Sequence, residues 1–117
     1  MKVREATDRA RSLAGATVDE SEMLGWLSDC EGRVRESLFG MAGEFEGFTD
    51  SDGERELTAK EPYAVLYVYY LSAQIYLSFA DMDRYNDYIG LYADTLMDCE
   101  DSFVSRNKGK LLPQIYI

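Results

Sequence analysis

The chain has 117 residues, a net charge of −10 at neutral pH and no histidine. This length gives one domain with a single modest core, and a hydrophobic content of 46% argues against disorder throughout. The acidic balance without a basic stripe argues against direct nucleic-acid binding, and the absence of histidine removes the commonest catalytic base.

The first predicted helix runs from about residue 2 to residue 14. Its apolar side chains recur at spacings of three and four residues, at Val3, Ala6, Ala10 and Leu13. Its outer face carries three arginines, Arg4, Arg9 and Arg11. They are interpreted either as an ordinary charged surface or as a basic docking surface.

The second predicted helix begins near Asp19, where Asp19 and Glu22 have the spacing of a capping box. An apolar stripe defines its inner face: Met23, Leu27, Cys30, Val34 and Leu38. Glu31 and Arg35 have the (i, i+4) spacing and the acid-first order of a favourable ion pair. Gly25 and Gly32 are costly inside a helix, and close approach of another helix is one explanation.

Residues 39–60 are predicted to form a long loop, because four glycines interrupt any periodicity and acids separate the phenylalanines. Asp50, Asp52 and Gly53 suggest calcium binding. If Gly53 is aligned with the sixth position of an EF-hand loop, Phe48 falls at the first position and Ala59 at the twelfth. Both positions need oxygen ligands, so the motif fails. The sequence predicts a solvated acidic loop.

The third predicted helix, at about 62–80, contains no charged residue and five of the nine tyrosines. Its length is that of a membrane span. Polar residues near its middle, Ser72 and Gln74, and acidic residues on both flanks favour a soluble bundle instead. We therefore predict an all-α fold, a small four-helix bundle around this central helix, with Pro62 in its first turn.

The fourth predicted helix is capped by Asp81 or Asp83 and ends near Ser105. One face is aromatic and apolar: Tyr85, Tyr88, Ile89, Tyr92, Leu96, Cys99 and Phe103. The opposite face carries a row of aspartates: Asp83, Asp87, Asp94, Asp98 and Asp101. This row is either a solvated, repulsive face or a surface that meets cations.

The last ten residues, 108–117, are predicted to form an extended arm beyond a helical domain of residues 1–107. Two lysines, Lys108 and Lys110, precede an apolar segment that contains Leu111, Leu112, Ile115, Tyr116 and Ile117. Such a segment is too apolar to be left in water, so it either folds back on the core or docks on another chain.

Motifs for catalysis and cofactor binding are missing from the sequence. No glycine-rich phosphate loop occurs, and no acidic residue lies within an apolar run. Cys30 and Cys99 lie on separate predicted helices and are interpreted as two buried thiols. We therefore expect no enzyme activity, no cofactor and no metal, and we expect an interaction module.

Five short strings are distributed over roughly residues 3–107: Val3-Arg4-Glu5-Ala6, Trp26-Leu27-Ser28-Asp29, Glu61-Pro62-Tyr63, Ala73-Gln74-Ile75-Tyr76 and Arg84-Tyr85-Asn86. Together with the order of the predicted helices, they resemble the small helical head–tail connector proteins of tailed phages and prophages. The resemblance implies a structural subunit, without catalysis, of a ring beneath the portal that extends the DNA channel.

The resemblance also implies the partners: further copies of the chain, the portal protein and the next neck or tail protein. DNA would pass without specific binding, no membrane would be involved, and the site of action would be the virion neck after assembly in the bacterial cytoplasm. The competing hypothesis is an acidic helical regulatory or adaptor protein that binds a basic protein. The candidate interface residues are Arg4, Arg9, Arg11, Asp87, Asp94, Asp98, Asp101, Lys108, Lys110, Leu111, Ile115 and Tyr116.

Overall fold

A computed structural model describes residues 1–15, 17–40 and 45–106. Within these ranges the chain forms four α-helices and one 3₁₀ turn, and no strand is present. The helices are α1 (Val3–Ala14), α2 (Glu20–Phe39), α3 (Val65–Ser78) and α4 (Met82–Arg106), and the turn is Asp50–Asp52. The predicted all-α bundle is confirmed.

The charge-free helix α3 lies at the centre of the bundle and packs against α1, α2 and α4. More than half of its residues are buried: Leu66, Tyr67, Val68, Tyr70, Leu71, Ser72, Ala73 and Ile75. The helix begins at Val65, after a turn at residues 61–64, so the prediction that Pro62 lies in its first turn is wrong. Within the described ranges, no helix combines the length and the apolar character that crossing a bilayer requires.

Helix α2 buries the apolar stripe that its sequence predicts, with Leu38 only partly buried. The Asp19 side chain makes no capping hydrogen bond to the helix and instead accepts one from Ser21 Oγ. A Cβ added at Gly25 or Gly32 would meet no atom of the described structure within 4 Å. Close helix approach at these two glycines is therefore wrong.

Helix α4 is capped by Asp81, because the backbone N–H of Arg84 donates to Asp81 Oδ1 at 3.2 Å. Its apolar face turns inward as predicted, although only Tyr92 and Cys99 are fully buried. Aromatic pairs join this face to α3, with the rings of Tyr70 and Tyr92 5.0 Å apart and those of Tyr76 and Tyr88 stacked at 5.5 Å.

The segment between α2 and α3 contributes to the core. Phe48, Leu57 and Ala59 are buried in it. The backbone N–H of Phe48 donates to Ser28 Oγ at 2.9 Å, which ties the segment to α2. The prediction of a solvated acidic loop is therefore wrong for these three residues. The reason is that they belong to the same hydrophobic core as buried residues of α1, α2 and α3.

Candidate functional site

Glu31, on the inner face of α2, is fully buried. Its carboxylate accepts a hydrogen bond from Tyr67 Oη at 2.7 Å and one from the Thr58 backbone N–H at 3.0 Å. The backbone N–H of Ala59 in turn donates to Tyr67 Oη at 2.9 Å. These three bonds form the Glu31–Tyr67 latch, which joins α2, α3 and residues 58–59.

Burial governs the chemistry of this latch. It raises the pKa of the Tyr67 hydroxyl far above its ordinary value, with the neighbouring Glu31 carboxylate adding to the effect. Burial likewise raises the pKa of the adjacent Cys30 thiol. Both groups therefore stay protonated at neutral pH and lie away from solvent, so the arrangement is suited to holding the fold together rather than to reacting with a ligand.

The predicted ion pair between Glu31 and Arg35 is wrong. Glu31 points into the core, whereas the Arg35 guanidinium lies over the Phe45 ring, 4.7 Å from its centroid. A helical spacing could have revealed the inward position, because Glu31 follows Leu27 by four residues and precedes Val34 by three. The (i, i+4) spacing to Arg35 indicated an ion pair, whereas the spacing to Leu27 and Val34 indicates the core position that the structure shows.

The aspartate row of α4 faces solvent. Asp83, Asp87, Asp94, Asp98 and Asp101 are all exposed. Within the described residues none of these five carboxylates has a cationic nitrogen within 4.0 Å. The helix thus presents a line of like charges that its own domain, as far as it is described, leaves uncompensated.

The three arginines of α1 do not form one free basic surface. Arg4 pairs with Glu54, and Arg11 pairs with Glu20 across the turn between α1 and α2. Arg9 forms no ion pair with the described residues and borders an open apolar groove with Leu13, Val65, Val68 and Tyr69.

The acids of residues 54–56 bind the N-terminal segment instead of lying free. Glu54 accepts a hydrogen bond from Lys2 Nζ at 2.8 Å, and the amino terminus lies 3.1 Å from Glu56 Oε2. The hydrogen bond from Lys2, followed by the charges of Lys2 and Arg4, lowers the pKa of Glu54. Glu54 correspondingly raises the pKa of Lys2. This charge cluster holds residues 53–57 against the start of α1.

An apolar groove of about 400 Å³ lies where α2 and α4 end. Its described lining residues are Leu38, Phe39, Thr58, Ala59, Lys60, Cys99, Phe103 and Arg106. The Phe39 and Phe103 rings meet edge to face with centroids 5.5 Å apart. A shallower depression beside it is lined by carboxylates, hydroxyls and one guanidinium, from Tyr63, Asp98, Asp101, Ser102, Ser105 and Arg106.

Of the predicted interface residues, the acidic ones share the exposed face of α4 and the arginines lie on α1. Lys108, Lys110, Leu111, Ile115 and Tyr116, which belong to the predicted arm, lie outside the described residues. Cys30 and Cys99 are both buried free thiols, as their spacing predicts. In the described part of the chain, no three side chains of the metal-binding types are grouped so that they could hold an ion.

Comparison with known proteins gives no relative for this chain. No protein-family model, no curated protein and no solved structure matches it.

Proposed function

We propose that this chain is a structural subunit of a phage or prophage head–tail connector ring, which joins the portal to the tail and extends the DNA channel without catalysis. The observation that carries the proposal is the two-sided character of α4. Its inner face packs on the core, and its outer face presents five exposed aspartates without ion pairs to described residues. The resemblance of several short strings to those of connector proteins suggests the class of assembly.

An acidic face suits the wall of a DNA channel. DNA phosphates bind cations and release counterions, so a wall of like charge lets the duplex pass without adhering. Helix α4 has 25 residues and is therefore about 37 Å long, which allows the row to extend over several phosphate spacings. In this proposal DNA is cargo that passes the subunit, and no base is read.

The N-terminal end of α4 carries exposed apolar surface, which suits a contact between copies. At the turn between α3 and α4, three large apolar side chains are 41–61% exposed: Leu77, Phe79 and Met82. Apolar side chains that cluster on a surface mark interaction sites more often than isolated ones do. A contact between two different faces propagates around a ring when its rotation closes. The portal and the next neck protein would bind above and below such a ring.

The same aspartate row also favours a second candidate function, an acidic adaptor that binds a basic protein. In that case the charges would be neutralised by lysines and arginines of the partner rather than left facing a channel. Such an interface would form quickly at low salt and weaken as salt screens it.

Native mass spectrometry at concentrations from micromolar to millimolar tests the connector proposal. We expect ring-sized oligomers that Phe79→Ser weakens, whereas Met97→Ser, a matched change at an equally exposed apolar side chain of α4, leaves them intact. A persistent monomer that binds polylysine at moderate salt would favour the adaptor. The genes beside this one give an independent check, since connector genes are expected between portal and tail genes.

A further inference from the structure

The apolar groove at the ends of α2 and α4 has a floor and a rim of different chemistry. Leu38, Phe39, Ala59 and Phe103 supply apolar surface, whereas Lys60 and Arg106 place cations at the edge. Such a groove of about 400 Å³ is large enough for two or three aliphatic side chains. The Cys99 thiol belongs to the same lining and is 3% exposed.

The sequence that follows α4 matches the groove in composition. Arg106, the last residue of α4, is itself part of the lining, and Leu111 and Leu112 come five and six residues later. A chain spans at most about 3.3–3.6 Å per residue, so Leu111 can reach about 17 Å from Arg106. The part of α4 that borders the groove, Cys99–Arg106, is only about 10 Å long. The leucines are therefore within reach after one reversal of direction.

The charges near the end of α4 favour the same reversal. Lys108 and Lys110 lie between the helix end and the leucines, and Gly109 between them permits a tight turn. The depression next to the groove holds Asp98 and Asp101, which have no cationic partner among the described residues. A chain that turns back beside α4 would carry the two lysines past these aspartates before the leucines meet the apolar floor.

We infer that the groove between the ends of α2 and α4 is the docking site of this chain's own C-terminal segment, with Leu111 and Leu112 on the apolar floor and Lys108 and Lys110 beside Asp98 and Asp101. The occupant is intramolecular because the groove begins at the residue from which the segment emerges. The inference is independent of the proposed ring, because it concerns a single copy of the chain.

The reactivity of Cys99 tests this inference in the full chain. A thiol reagent such as iodoacetamide labels a cysteine in proportion to how often its surroundings open. In the double variant Leu111→Ser/Leu112→Ser we expect Cys99 to be labelled about tenfold faster or more, as peptide mass spectrometry would show. Cys30, which is fully buried on α2, serves as the internal reference and should keep its slow rate.

A matched control carries the same double change elsewhere. Leu77→Ser/Leu91→Ser alters two exposed leucines, neither of which lines the groove, and should leave the Cys99 labelling rate unchanged. Equal Cys99 rates in the wild-type chain and the Leu111→Ser/Leu112→Ser variant would overturn the inference. A joint rise of the Cys30 and Cys99 rates reports global unfolding, and the milder variant Leu112→Ala then decides by the same criterion.

Dilution separates the chain's own segment from that of a second copy. An intramolecular segment protects Cys99 equally at 1 µM and 100 µM, since its effective concentration does not depend on that of the protein. Protection that is lost on dilution would overturn the intramolecular assignment and place the segment of another copy in the groove. A failed ring assay leaves this result untouched, because the labelling rate reports on the groove of each copy whether or not the copies associate.

Discussion

Carboxylates occupy two opposite environments in this molecule. Glu31 lies in the core with hydrogen bonds from Tyr67 and Thr58, whereas the aspartates of α4 stand in water without partners in the described structure. A buried charge costs several kcal/mol unless its oxygens are satisfied, and an exposed one costs little. Glu31 therefore helps to specify the fold, whereas the α4 aspartates leave negative charge available to a molecule outside the domain.

The largest expected effect is at the buried carboxylate. Glu31→Ala should lower the free energy of unfolding by about 2–4 kcal/mol, because the Tyr67 hydroxyl and the Thr58 N–H lose their acceptor and a cavity remains. Urea denaturation followed by circular dichroism measures the loss. Glu36→Ala, on the exposed side of the same helix, is the matched control and should stay within about 0.5 kcal/mol. Equal losses in the two variants would contradict the latch.

The hydroxyl of Tyr67 provides the next largest effect. Tyr67→Phe removes a donor to Glu31 and an acceptor for Ala59, so we expect a loss of about 1–3 kcal/mol in unfolding free energy. Tyr69→Phe, two residues further along α3 and only half-buried, should change the unfolding free energy by less than about 0.5 kcal/mol. Urea denaturation measures both variants. Equal unfolding free energies for Tyr67→Phe and Tyr69→Phe would show that the hydrogen bonds of Tyr67 add nothing to stability.

The latch and its surroundings also show which parts of the fold the sequence could predict. Helices α1, α2 and α4 follow from spacings of three and four residues, and α3 follows from its lack of charge. The inward positions of Phe48, Leu57 and Ala59 could not be predicted, because no period links them and only tertiary contacts bury them. Glu31 has the helical register of a core residue, but carboxylates are rarely buried, so register alone was not enough to place it in the core.

A third set of carboxylates, Glu54 and Glu56 in the charge cluster at the start of α1, makes stability depend on pH. The pKa of Glu54 is lowered by Lys2 and Arg4, so the stability that Glu54 contributes is present above its unfolded pKa, about 4.5. This contribution is lost as the pH falls through the lower pKa of the folded state. We therefore expect the wild-type chain to lose more stability than Glu54→Gln when urea midpoints are compared between pH 6 and pH 3.

The control for this pH effect is Glu46→Gln, an exposed glutamate for which no ion pair is found among the described residues. It should follow the wild-type pH profile. A Glu54→Gln profile that also matches the wild type would show that the packing of residues 53–57 against the start of α1 does not depend on the charge of Glu54.

The smallest effect, and of opposite sign, is expected on the aspartate row. Asp94→Asn removes the repulsion between Asp94 and Asp98, which lie four residues apart on α4, so the free energy of unfolding should rise by a few tenths of a kcal/mol at low salt. The gain should vanish near 1 M salt, where the Debye length falls to about 3 Å. Thermal melts at the two salt concentrations measure both results. A loss of stability at low salt would instead show that Asp94 has a cationic partner within the folded chain. This part of the aspartate row would then stabilise the fold rather than face DNA, a basic protein or a neighbouring copy.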